Sequence, residues 1–360
     1  MHRMPATLLA CAFAFASIAA AHAQGSVPAP AASPVAQPPQ AASPPAGAND
    51  AAVDEDGVRR LGTVVVSGAQ PGPGMWKVRN GANTLWILGT LTPLPRDFDW
   101  VSRDVEAVIA QADAVLAPPG AKFDADIGFF RGLTLLPTAL RARNNPDGKR
   151  LEEVVPAPLY ARWSTLKARY VGRDAGLEKR RPIVAAGELY RAAIRRAGLS
   201  TDDAVADAVR RATRKADLKA TPVQVEFKIA NAKDLLKELA DTSLDDMDCF
   251  ARTLDRVEGD IENMKLRANA WAVGDMDTLR ALPYGDQFEA CLDAVTGSAL
   301  ARKAGVADFE RRVGDAWIAA ARSALDRNAV TFATMPMVVM LRDDGPIARL
   351  RALGYAIEEP

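Results

Sequence analysis

MWKVRNGANTLWILGTLTPLP, residues 75–95, decides the fold. MWKV alternates apolar and polar side chains, Asn80–Gly81 supplies turn chemistry, and TLWIL is a buried apolar run. Together they predict two strands joined by a tight turn. The second strand runs out into GTLTPLP, a loop of the kind in which a sheet hands its last residues to a site. Working outward, Asp97 or Asp99 can cap a helix over Trp100–Ala112 with Val101, Val105, Val108 and Ile109 on one face. DAVLA, Asp113–Ala117, reads as the next strand, and the strand–helix–strand order predicts that it lies parallel to TLWIL and beside it.

Upstream, Met1–Ala23 has the features of a secretory leader. Arg3 gives the positive start, Leu8–Ala21 a short apolar run, and Ala21-His22-Ala23 a cleavage site. The run falls short of the ~20 apolar residues that span a bilayer. Leu8-Leu9-Ala10-Cys11 also reads as a lipobox, although Cys11 stands ahead of most of the apolar run. Residues 24–58 are dominated by Ala, Pro, Ser and Gln and lack the large apolar residues that offset chain entropy. This composition predicts a disordered linker. The folded domain is expected over 63–360. Thr63, Val64, Val65 and Val66 are β-branched throughout and predict a strand of the domain's own sheet. The surrounding RRLGTVVVSG also resembles a TonB box, which pairs as an added strand.

Removal of the leader has chemical consequences. The chain holds two histidines, His2 and His22, and both would leave with it. Without imidazole, Ser-His-Asp and Cys-His triads and every zinc site that needs His are excluded. Of the three cysteines, Cys249 and Cys291 remain. In an exported chain they read as one disulfide, with a buried free pair as the alternative. The formal net charge is zero, and losing Arg3 shifts it by one, to about −1, which offers no footprint for nucleic acid or an anionic membrane.

The middle of the chain reads as helical. Phe129, Phe130, Leu133, Leu135 and Leu136 suit short packed helices, and Asn144–Gly148 is a turn cluster. Leu159, Trp163, Leu166 and Tyr170 form a core stripe. A helix is expected over Pro182–Ala197, and another capped by Ser200 or Thr201. PVQVEF, Pro222–Phe227, predicts a strand with Glu226 near its end. Apolar residues recur at helical spacing from Leu244 to Trp271, which predicts one long helix ending at Gly274. Asp245, Asp246 and Asp248 sit in its first turn, and Asp255, Glu258 and Glu262 form a solvated face. Cys249 and Cys291 would then lie on antiparallel neighbouring helices. A final long helix is expected over Phe309–Asn328, then an extended TFATMPMVVM, Thr331–Met340, a short helix Ile347–Leu353 and a closing edge strand.

Several of these segments resemble the TraB/GumN family. MWKV…TLWILGTLTPLP matches "LWKV…tLyLLGtiHvLP", AWAVGD matches "W..GD", PVQVEF matches "pv.glEt", and LRALGYAIE matches "Lra.GY.ve". The resemblance covers roughly 74–360. It implies an α/β fold of mixed α+β character: a central mixed sheet flanked by helices, with a large helical middle section, related to erythromycin-esterase-like and Tiki-type proteins. Some Tiki relatives are metal-dependent proteases that use two G-x-x-H motifs and a Glu. The corresponding positions here are Gly89 with Thr92, Pro336 with Val339, and Ala117 at the acidic site. Glu226 matches a family Glu. Together with the leader, which implies an exported, periplasmic, envelope-associated protein, the resemblance implies a degenerate site: no catalytic residue, no metal and no cofactor. Its role would be to bind a protein partner or envelope glycan. The alternative is a hydrolase with relocated carboxylates, Glu226 with Asp97 or Asp344, and Arg96 nearby.

Overall fold

The computed structural model describes residues 63–125, 129–282 and 287–360, without the side chains of 129–133 and 287–289. The expected leader and linker lie outside the described residues, as do the side chains of Phe129, Phe130 and Leu133. The fold is mixed α/β. Strands β1 (Met75–Asn80), β2 (Asn83–Thr90), β3 (Ala114–Asp124), β4 (Ala220–Lys228), β5 (Val330–Pro336) and β6 (Ala356–Glu358) form one six-stranded sheet in the order β6-β1-β2-β5-β3-β4. β1 and β2 make the expected antiparallel hairpin, with Asn80 opposite Asn83. The C-terminal YAIE segment closes the sheet as an edge strand on β1, with Ile357 opposite Val78.

β2 and β3 run parallel but are not neighbours. β5 lies between them, pairing Gly89 with Met335 on one side and Leu116 with Ala333 on the other. The physical reason lies in β5 itself. Thr331, Phe332, Ala333 and Met335 are all buried, so both faces need cover, and only an interior place in the sheet supplies it. β3 is longer than expected and continues through Pro118 and Pro119. Proline has no N–H to give the ladder, and its register with β4 shifts between Leu116 and Pro119.

Helix α1 (Arg103–Ala110) is shorter than its sequence pattern, because Trp100 belongs to a three-residue strand, Phe98–Trp100, paired with Gly68–Gln70. Val105 and Ile109 point inward as expected, while Val101 is exposed. α2 (Ala157–Tyr170), α3 (Pro182–Arg196) and α5 (Met247–Gly259) enclose a second core of Trp163, Leu166, Leu189, Phe250, Leu254 and Val257. Between α3 and α5, α4 (Ala204–Lys215) is capped by Asp203, whose carboxylate accepts from the Ala206 N–H, rather than by Ser200 or Thr201. The long helix expected over Leu244–Trp271 is two helices, α5 and α6 (Ile261–Val273), broken at Asp260. There Asp260 takes the buried Arg267 guanidinium at 2.6 Å, a contact that the helical period alone does not encode. α7 (Phe309–Arg327) packs over β3, β4 and β2 with Val313, Trp317, Ala321 and Ala324 inward.

Two further expectations need correcting. Thr63–Val66 is not a strand; the segment lies along α6, held by side chains of that helix. TFATMPMVVM is extended only to Pro336, after which Met337–Met340 coil into one helical turn. Cys249 and Cys291 are joined by a disulfide with their Cα atoms 4.4 Å apart, linking α5 to the helix Gln287–Thr296.

Candidate functional site

In a sheet with parallel central strands, the natural place for a site is the carboxyl edge, where each strand delivers its last residues to a loop. Here that edge is built from Gly89–Thr90 of β2 and Met335–Pro336 of β5, which are register partners, with Ala117 of β3 just past the Leu116–Ala333 rung. Thr92 follows two residues after β2 ends, at a cis peptide bond to Pro93. Val339 sits on the single helical turn after β5. The topology therefore gathers Gly89, Thr92, Ala117, Pro336 and Val339 at one end of the sheet.

The chemistry at that end is apolar. A side chain at Gly89 would meet the Met337 methyl at 2.5 Å and the Met340 methyl at 2.7 Å. Both methionines are buried, as is Met335. The Gly89 carbonyl accepts a 2.8 Å hydrogen bond from the Trp271 indole N–H. Trp271 is packed edge-on to Phe98 at 5.8 Å and tilted against Trp100 at 5.9 Å. Thioether side chains thus close the space behind Gly89. At Gly345 an added Cβ would collide with the Val339 carbonyl, so the Asp343–Asp344–Gly345 turn folds back tightly over that position.

These residues do not fit a transition metal. Val339 and Ala117 carry no donor atom, Thr92 offers one exposed neutral hydroxyl, and among the described residues no group of three or more His, Cys, Asp or Glu could hold a metal ion. The proposed relocated carboxylates are dispersed. Glu226 is opposite Lys122, where β3 and β4 run on beyond the last rung with β5. That is five residues past Ala117, roughly 15 Å along the strand. Phe227 turns inward and stacks on Phe123 and Phe309, so Glu226 alternates outward to solvent. Asp344 is exposed and pairs with Arg342 at 3.1 Å. Asp97 is exposed, and the Arg96 guanidinium donates to the Arg195 carbonyl.

The strongest electrostatic feature lies elsewhere, in the helical section. Arg181 is buried and donates to the carbonyls of Ala142 at 2.6 Å, Thr242 at 2.8 Å and Leu239. It thereby satisfies the C-terminal ends of two helices, where a cation also suits the dipole. Asp246 is also buried, and its carboxylate accepts from the Ile183 N–H at 2.8 Å. Burial pushes the Asp246 carboxyl up to about 6, against the opposing pull of the Ile183 N–H and the Arg181 charge. The sequence placed Asp246 only in the first turn of a helix, and neither Arg181 nor the methionine closure was foreseen. The spacing of Met335, Met337 and Met340 was the available signal for the latter.

Residues 74–359 match the family model described as the TraB/PrgY/gumN family. No curated protein and no solved structure matches the chain.

Proposed function

We propose, on the premise that the chain belongs to the TraB/PrgY/gumN family, that it is an exported member whose inherited strand-end site binds rather than cleaves. The observation that carries this reading is the apolar strand end, where Met337 and Met340 pack against Gly89 and neither Val339 nor Ala117 offers a donor atom. The positions of the two G-x-x-H motifs hold Thr92 and Val339, and the acidic position holds Ala117. Residues 24–360 contain no imidazole, so general-base chemistry at neutral pH would fall to carboxylates, and the candidates Glu226, Asp97 and Asp344 are exposed to water. Export rests on the leader Met1–Ala23, and the role suggested is at the periplasmic cell envelope, with a protein or glycan partner.

The experiment is direct. Purified protein is analysed for bound metal and assayed for peptidase activity with added Zn²⁺, Mn²⁺ or Co²⁺. No stoichiometric metal and no gain of activity are expected. Activity lost on Glu226→Gln, or a tightly bound metal lost on Thr92→Ala, would overturn the reading. N-terminal sequencing of the exported protein should begin at Gln24.

A further inference from the structure

Thr63–Val66 is held along α6 without any β-ladder. The Val66 N–H donates to the Asn269 side-chain oxygen at 2.9 Å, and the Asn269 amide nitrogen donates to the Val64 carbonyl at 2.7 Å. In an extended chain, the C=O of one residue and the N–H two residues later face the same side. One carboxamide therefore stands in for one peptide unit of a missing neighbour strand. The Thr63 N–H donates to the Glu262 carboxylate at 2.7 Å. Burial would raise that carboxyl, but Lys265 and Thr63 together hold it below its usual value. Glu262, Leu266, Asn269 and Val273 follow one another at helical spacing and share a single stripe of α6, on which Leu266 and Val273 stay partly exposed.

Val64 and Val65 face opposite ways, and Val66 is half-buried like Val65. Val65 turns inward against Ile194, Leu199, Met264 and Ala268, with Gly198 beneath it, while Val64 is 82% exposed. The surface therefore reads two features: the main chain of an extended segment, through Asn269 and Glu262, and one small β-branched side chain, through the Val65 pocket. Main-chain reading with a single side-chain pocket is how added-strand peptides are recognised.

We infer that this face of α6 is a receptor for an extended peptide with a β-branched residue at the Val65 position. The chain's own Thr63–Val66 occupies it as a detachable resident. The hydrogen bonds to Thr63 and Val64 are exposed to solvent, that to Val66 is half-buried, and exposed Ser67 leads into the paired strand Gly68–Gln70, so lifting the segment leaves the six-stranded sheet in place. This face shares no residue with the strand-end site, although the same helix carries Trp271, which donates to the Gly89 carbonyl.

The test uses the full chain and a labelled peptide of residues 61–70, LGTVVVSGAQ, followed by fluorescence anisotropy. Val65→Asp, or Val65→Gly should the first variant fold poorly, frees the receptor of its resident. The freed variant should bind the peptide, and adding Asn269→Ala to it should weaken binding roughly tenfold or more, the effect of losing two hydrogen bonds. Wild type should bind more weakly than the freed variant, and a peptide carrying V65D should not bind. Equal binding with and without Asn269→Ala, or equal binding by wild type and freed variant, would overturn the inference.

Discussion

Replacing Asp246 by Asn should make the protein more stable at pH 8 and leave it nearly unchanged at pH 4. The carboxyl is 1% exposed, and burial raises it from an ordinary value near 3.8 to about 6. A folded-state value above the unfolded one means that the folded protein holds its proton more tightly. The neutral carboxyl's contribution is thus fully present below about pH 4 and is lost as pH rises through about 6. A shift of about two units corresponds to roughly 3 kcal/mol at pH 8. The substituted carboxamide would be neutral throughout, and its oxygen can still accept from the Ile183 N–H. The measurement is thermal unfolding of both proteins from pH 4 to pH 8. The melting-temperature difference should grow from near zero to about 5 °C or more in favour of the variant, with half of the change reached near pH 5 and nearly all of it by about pH 7. A difference that stays flat across that range would show that the buried carboxylate is fully compensated by Arg181, and the reasoning would fail.

Three other outcomes are expected. Arg181→Met should destabilise by ~3–5 kcal/mol at pH 8, because it strips three buried carbonyls and leaves the Asp246 charge without its cation; denaturant unfolding should show a smaller loss at pH 5. Gly89→Ala should cost ~1–3 kcal/mol by overpacking Met337 and Met340. Combined with Met340→Ala, which alone should cost ~2–5 kcal/mol as a cavity, it should cost less than the two single changes summed, as a double-mutant cycle would show. Cys249→Ser with Cys291→Ser should lower stability by ~4 kcal/mol, the chain-entropy value for a sequence separation of 42, and thiol titration of denatured wild type should find neither cysteine free.

Much of the fold was legible locally. The β1–β2 hairpin, the Trp163 stripe of α2, the inward face of α7 and the closing edge strand all follow from spacing and turn chemistry. The misplacements share one cause. The sequence of β5 advertises burial on both faces but not between which strands, so the order β2-β5-β3 could not be read from it. The break at Asp260 is invisible to a hydrophobic period that continues unbroken through it. Thr63–Val66 has every mark of a strand, yet its partner is a side chain on α6. The candidate site divides the same way. Its members were named from a linear pattern, but the packing of Met337 and Met340 against Gly89 depends on a helical turn after Pro336 that the apolar run TFATMPMVVM does not announce.

Sequence alone determined the chemistry this protein lacks. The chain's two histidines are His2 and His22, and Val339 and Ala117 carry no donor atom, so no folding could place a donor on those two side chains. Tertiary structure alone decided what fills the space instead, because the methionines, Trp271 and the Arg181–Asp246 pair act through contacts between segments far apart in the chain. Composition lists the groups available; only the packed backbone sets which of them are dry, which are paired and which remain open to a partner.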